Sequence, residues 1–193
     1  LTMKKVSLLI LIQLCFIGML VAQPSFETHI IATDADGAYD VYAIDMDSDG
    51  DIDVLSASSV GGNNPHNKVA WYENDGTENF SIHDISNNAP EVRDAHAADL
   101  DGDGDIDVMS ALRNVSRVDW YKNNGSEIFT QYTISTNAFF VESIYSIDLE
   151  GDGDIDVLAA CDQKIAWYEN DGNASFTEHT ISTGYSVSSV YAV

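Results

Sequence analysis

The sequence has little positive charge: eight Lys and Arg stand against 32 Asp and Glu in 193 residues. Lys4 and Lys5 fall in an amino-terminal leader-like segment, so the chain after residue 22 carries six basic residues against all 32 acids. Such a surface repels nucleic acid and anionic membranes, and neither is expected as a partner. Cysteine is scarce too. Of the two, Cys15 follows Gln13 and Leu14, which are not the small residues that lipid attachment requires. Cys161 is then alone in the apolar run Val157, Leu158, Ala159, Ala160, which points to a small buried core residue rather than a nucleophile or disulfide partner. No Ser, His and Asp triad, zinc-ligand spacing or phosphate-binding loop can be read from the chain. Long apolar runs are missing as well. The one candidate, Val6 to Val21, is interrupted by Gln13 and is short for a membrane span. Behind Met3, Lys4 and Lys5 and ahead of Ala22, it has the order of a secretory signal peptide, with cleavage expected after Ala22. Residues 1–22 are therefore predicted to be a leader and 23–193 the mature part, secreted or at the cell surface and not inserted in a membrane after cleavage. Leu20 is large for its place two positions before the cleavage point, and an uncleaved anchor is the competing reading.

What the chain does have is repetition. The hydrophobic fraction of 45% is enough to bury a core. The segment VYAIDMDSDGDIDVLSAS returns as AHAADLDGDGDIDVMSAL and as IYSIDLEGDGDIDVLAAC. A second marker, KVAWYENDG, returns as RVDWYKNNG and KIAWYENDG, placing Trp71, Trp120 and Trp167 at separations of 49 and 47. A third reads FSIHDIS, FTQYTIS and FTEHTIS.

Each unit offers four short β-rich runs, in the first repeat Val41 to Ile44, Asp53 to Ser58, Val69 to Glu73 and Phe80 to Ile85. Four strands per repeat of this length predict an all-β β-propeller of four-stranded antiparallel blades, with blades at about 41–86, 95–135 and 144–182. The third and fourth strands are joined by Asn74, Asp75 and Gly76 or their counterparts, residues that accept positive φ at little cost. Trp and Tyr are adjacent in each third strand. Period-2 geometry sends them to opposite faces, which suits a sheet covered on both sides by neighbouring blades. The flanks continue the pattern. Phe26 to Ile31 matches the fourth-strand marker and predicts an outer strand at 26–31, while Val190 to Val193 matches Val41 to Ile44 and predicts the start of a further blade at 187–193. The expectation is a partial propeller, three complete blades plus flanking strands, from a ring of about four to eight.

The acids are concentrated. Fifteen of the 32 lie in three nine-residue windows. In the first, Asp45, Asp47, Asp49 and Asp53 occupy positions 1, 3, 5 and 9, with Gly50 at 6 and Asp51 at 7. Alternate residues of a tight loop point inward, so four carboxylates and the carbonyl of residue 7 can surround one hard cation, and Gly at 6 allows the sharp turn. Such a flexible oxygen cage suits calcium better than magnesium, which demands a small octahedron. The second loop places Asp99, Asp101, Asp103, Gly104, Asp105 and Asp107 in the same order. The third places Asp148, Glu150, Asp152, Gly153, Asp154 and Asp156. Glu150 has one extra methylene, so binding is expected to persist there with altered or weaker geometry. Three sites for Ca²⁺ are expected. An EF-hand would need a carboxylate at position 12 and flanking helices, but Ser56, Ser110 and Ala159 stand there and the flanks continue a strand.

On these residues the chain resembles the FG-GAP/VCBS repeat family, including the calcium-binding blades of integrin α-chain propellers. The resemblance covers Phe26 to Val193 and is most specific at the DxDxDGDxDV loops. The Phe-Gly and Gly-Ala-Pro words of one branch are missing, so the VCBS-like branch fits better. It implies a propeller with calcium between the first and second strands of each blade.

Without a cation such a loop holds several like charges together and frays; with one, it ties two strands. A structural role for calcium is therefore expected, with filling at the roughly 0.1 to 1 mM typical of extracellular modules. His29, His83 and His179 share a repeat position that Tyr132 fills in the second blade, which favours packing over catalysis. His96 stands where the other repeats have Tyr42, Tyr145 and Tyr191, on the innermost strand. With Arg93 and Glu142 at the strand entrances it is a candidate ligand surface near the central channel. The metal loops and hairpins are expected on one face, leaving Gly61 to Asn67 and Asn137 to Glu142, with Phe139 and Phe140, on the other. Two functions compete: a non-enzymatic extracellular module for adhesion or recognition of protein or carbohydrate, and the propeller of a secreted polysaccharide-degrading, lyase-like enzyme. His96, Arg93 and Tyr145 would be the first residues to test for the enzyme.

Overall fold

The computed structural model describes residues 27–33, 35–61, 67–184 and 186–192. The expected leader, Cys15, Phe26 and Val193 lie outside them. Among the described residues there are twelve strands and no helix, arranged as three four-stranded antiparallel sheets. The first sheet contains β1 (Ala38–Ile44), β2 (Asp53–Ser58), β3 (Lys68–Asn74) and β4 (Phe80–Ser86). The second contains β5 (Val92–Ala98), β6 (Asp107–Leu112), β7 (Arg117–Lys122) and β8 (Thr130–Ser135). The third contains β9 (Ser143–Ile147), β10 (Asp156–Cys161), β11 (Lys164–Asn170) and β12 (Phe176–Thr183). In each sheet the strands lie side by side in chain order. β5 packs against β1 and β2, and β9 against β5 and β6, so the first strand of each sheet lies innermost. These are the blades of a partial, open propeller.

Adjacent residues of a strand point to opposite faces, and both faces are used. One core joins Leu55, Ala57, Val69 and Trp71 of the first blade to Ala95, Ala97, Val108, Leu112 and Tyr121 of the second. The other joins Met109, Ala111, Val118 and Trp120 of the second to Ile144, Val157, Ala159, Cys161, Ala166 and Tyr168 of the third. The tryptophan of one blade thus shares a core with the tyrosine of the next. Trp71 and Tyr121 are 1% exposed, whereas Trp167, against which no further sheet packs among the described residues, is only half-buried. Cys161 is fully buried, and burial pushes its thiol up to about 11, which keeps it protonated and inert.

Each tryptophan also faces a ring across its own sheet. Trp71 pairs with His83 and Trp167 with His179, with ring centroids 4.4 and 4.6 Å apart, while Trp120 pairs with Tyr132 at 5.0 Å. His83 and His179 bond Glu73 and Glu169 at 2.7 and 2.5 Å. The packing role expected for this repeat position accounts for these contacts.

The flanking segments differ from expectation. Residues 27–31 and 187–192 form no strand. A fourth strand needs a third strand to pair with, and β3, β7 and β11 each already pair with their own fourth strand. A first strand needs a free second strand, and β2, β6 and β10 are paired on both edges. Residues 29–32 and Ala35 instead line a cavity of about 310 Å³ with Val54, Ser56 and Tyr72 on the outer face of the first sheet.

Truncating a covered tryptophan should cost far more than truncating the partly covered one. Trp71→Ala is expected to lower stability by about 3–5 kcal/mol, and Trp167→Ala by less than about half of that. Urea unfolding of the two variants checks this; equal losses would contradict the burial difference.

Candidate metal centre

The loops between the first and second strands are built around one buried carboxylate each. Asp53, Asp107 and Asp156, at position 9, begin β2, β6 and β10 and are at most 1% exposed. One oxygen of Asp53 accepts the Met46 N–H at 2.8 Å and the other accepts the Asn74 N–H at 2.8 Å. Asp107 does the same with Leu100 and Asn123 (3.2 and 2.7 Å), and Asp156 with Leu149 and Asn170 (3.0 and 2.8 Å). A single side chain therefore ties the acidic loop to the end of the third strand.

Position 1 closes the turn. Asp45, Asp99 and Asp148 accept the N–H of Gly50, Gly104 and Gly153 at 3.1, 2.9 and 3.0 Å. Those glycines have φ of 98°, 95° and 103°, which a side chain would resist. Positions 1, 3 and 9 converge. Carboxylate oxygens of Asp45, Asp47 and Asp53 lie within 4.8 Å of one another, as do those of Asp99, Asp101 and Asp107, and of Asp148, Glu150 and Asp156. Glu150 reaches its cluster despite the extra methylene.

The other two acids of each loop sit outside that convergent group. Asp49, Asp103 and Asp152, at position 5, each use one oxygen to accept the N–H two residues on, at 2.8, 3.0 and 3.0 Å. At position 7, Asp51, Asp105 and Asp154 turn their carboxylates to the hairpin glycine. A Cβ on Gly76, Gly125 or Gly172 would lie 2.3, 2.6 or 2.5 Å from an oxygen of those acids. This second demand on the hairpin glycine, beyond its φ of 72–74°, is not visible in the sequence of either loop alone. The hairpin asparagine was also missed as a site residue. Asn74, Asn123 and Asn170 donate side-chain N–H groups to the carbonyls of Ile52, Ile106 and Ile155, and Asn170 also reaches Leu100 of the preceding blade at 2.7 Å. Its repeated place in ENDG and NNG was the available signal.

The donor set fits a hard cation. All three convergent groups are carboxylates, and Asp45 Oδ1 and Asp101 Oδ1 are buried with no hydrogen-bond donor in reach. The electrostatics point the same way. Burial pushes Asp107 up to about 6, and the hydrogen bond with Asp156 pushes Glu150 up to about 7. Asp47 is raised by burial first, then by the charges of Asp49, Asp53 and Glu73. Bound calcium would be held by the carboxylates at positions 1, 3 and 9 and would neutralise this repulsion.

Around the inner strands a second cluster forms. His96 lies between Tyr42 and Tyr145, with ring centroids 4.2 and 4.9 Å away, and bonds Ser146 Oγ at 2.7 Å. β-Bulges fall at Tyr39 and Arg93, and the Arg93 guanidinium stacks over the Tyr39 ring at 4.0 Å. Glu142 approaches Arg93 at 3.9 Å and Arg113 at 2.5 Å. The structure thus brings together Tyr42, His96 and Tyr145, and separately Arg93 with Glu142. Tyr191 is 74% exposed and outside any strand. Phe139 and Phe140 are exposed on the connection before β9. Asp94 was not foreseen. It is half-buried, accepts the Ile144 N–H at 2.9 Å, and is pushed up to about 7 by desolvation and by the neighbouring Asp40 carboxylate.

The model of the FG-GAP-like repeat matches three times, at residues 45–110, 99–159 and 148–193. The chain belongs to the FG-GAP-like repeat family. Each match opens on the first aspartate of an acidic loop, so the family signature and the carboxylate clusters coincide. No curated protein is significantly similar in sequence. Among solved structures, a lectin from Agrocybe aegerita, studied for specific recognition of non-reducing terminal N-acetylglucosamine, superposes with a TM-score of 0.54 at 20% identity. The match covers 76% of this chain and 39% of the lectin chain, so this chain spans well under half of that protein's length. At this identity the likeness is one of fold.

Two predictions follow from these FG-GAP-like blades. Asp53→Ala leaves the buried Met46 and Asn74 N–H groups without an acceptor and should cost about 2–4 kcal/mol in chemical denaturation even in calcium-free buffer. A neutral outcome would mean that the aspartate serves the cation alone. Asp94→Asn concerns pH. A carboxyl raised from 3.8 to about 7 in the fold contributes stability that is present at low pH and is lost as pH rises through about 7. Asparagine mimics the protonated form, so the variant should match wild type near pH 4 and melt higher near pH 8, measured in saturating calcium. Parallel pH profiles would refute the assignment.

Proposed function

We propose that this chain is a secreted or cell-surface recognition module in which calcium acts as a structural ion and the propeller presents its loop faces to an extracellular glycan or protein. The observation that carries the reading is the threefold convergence of position 1, 3 and 9 carboxylates, each cluster anchored by a buried aspartate that already ties two strand ends. Calcium bound there would hold the first, second and third strands of a blade together. Its site has the ligand chemistry of extracellular modules, which fill at about 0.1 to 1 mM, so export into calcium-rich surroundings would complete the fold. The lectin's recognition of N-acetylglucosamine on a related fold supports glycans as the first ligand class to test. A strongly acidic surface favours neutral or basic partners over polyanions.

The packed Tyr42, His96 and Tyr145 rings keep the second reading open, that the inner strands belong to a secreted polysaccharide-degrading enzyme. Burial lowers the His96 pKa, which keeps its ring neutral, as a base would be.

Calcium titration of the chelated protein, followed by thermal melting, is the test. Melting is expected to rise by several degrees with a midpoint near 0.1–1 mM. No ion retained and no change in melting would sink the calcium reading. Glycan-array binding without turnover supports the module; depolymerisation of a polysaccharide that is lost in His96→Ala would replace it with the enzyme.

A further inference from the structure

The residue directly after the Trp-Tyr pair of the third strand breaks the repeat in the second blade. Glu73 and Glu169 occupy that place in β3 and β11, and each bonds the histidine opposite, His83 or His179. In β7 the residue is Lys122, and the histidine's position is filled by Tyr132. With no histidine to meet, the Lys122 side chain turns to the acidic loop. Its ammonium bonds Asp101, one of the three convergent carboxylates, and also lies 2.9 Å from Asp103 Oδ2. The first loop has the opposite environment, since Glu73 adds negative charge near Asp47.

A tethered ammonium on a ligand carboxylate has two consequences. It supplies part of the positive charge the loop lacks, so the second loop is held together without metal. It also occupies an oxygen that a divalent ion needs and repels that ion, so calcium must displace it. The first loop offers calcium an unopposed cluster.

We infer that Lys122 is a built-in counterion that makes the second acidic loop a low-affinity site, so that the first loop fills with calcium before the second. This rests on the calcium reading given above and adds an order of filling to it.

Site-resolved NMR of the full chain tests it. The Gly50 and Gly104 amides donate to the position 1 aspartates of their own loops, so their ¹H–¹⁵N shifts report the two sites separately during a calcium titration. In the wild type the Gly104 midpoint is expected at a calcium concentration at least about tenfold above that of Gly50. Lys122→Gln should bring the Gly104 midpoint down about tenfold and leave Gly50 unmoved, while Lys122→Arg, which keeps the charge, should retain the wild-type order. Coincident midpoints in the wild type, or a Gly104 midpoint unchanged by Lys122→Gln, would overturn the inference with calcium binding intact. Shifts at neither glycine up to tens of millimolar calcium would instead remove the calcium reading and this inference with it.

Discussion

The structure depends on keeping several carboxylates close together at the point where three strand ends meet. Like charges at this separation repel, and water cannot screen a group that is fully buried, as Asp53, Asp107 and Asp156 are. Each of these acids nevertheless has both oxygens on backbone N–H groups, one from the acidic loop and one from the hairpin. Those donors stabilise the charge locally and fix the side chain, which then serves as the floor of a cluster completed by two more carboxylates. The site and the blade are therefore one construction. Loosening the loop loosens the junction of first, second and third strands.

Between blades the constraint is different in kind. The Trp of one blade and the Tyr of the next share a core, with valine, leucine and alanine filling the space around them. Burial of this sort is nondirectional, but the strand's twofold alternation makes it directional by sending the two rings of each pair to opposite sides. The polar junction at one end of the blade sets the register of the strands, and register decides which ring faces which neighbour. Asn170 links the two systems, since its side chain bonds both its own loop at Ile155 and the Leu100 carbonyl of the blade before.

Much of this was legible because the repeats supply three copies of each signal. Asp at positions 1, 3 and 9, Gly at 6 and the Trp-Tyr pair each recur in register, and the strands fall within a few residues of where the pattern puts them. What escaped was tertiary. The loop pattern separates position 3, where Asp47 joins the cluster, from position 7, but it does not record that the Asp51 carboxylate packs on a glycine 25 residues away. The flanking segments misled for a related reason. FETHII has the composition of a fourth strand, yet a strand is made by its partner, and every third strand among the described residues is already paired. Bulges at Tyr39 and Arg93, and the half-buried Asp94 beside Asp40, likewise arise from the meeting of adjacent inner strands, which no single strand's pattern records.

The second blade is where the repeat departs most from its own rule, and its departures compensate one another. Asp119 stands where the other third strands have Ala70 and Ala166, and a fully buried charge there would be costly alone. It is met by Arg117 at 2.6 Å, Gln131 at 2.6 Å and the Thr133 hydroxyl at 2.9 Å. Lys122 replaces a glutamate and Tyr132 replaces the histidine that would have bonded it, so neither partner of the lost pair is left behind. His96 replaces tyrosine in the same blade and takes Ser146 of the third as its partner. Asp119 and Lys122 are met by partners of the second blade itself, and of these changes only His96 takes its partner from a neighbouring blade. Sequence drift constrained only by packing would favour apolar exchanges; these exchanges introduce charge and hydrogen bonding instead, with Lys122 at the loop end, His96 on the inner strand and Asp119 buried within the third strand.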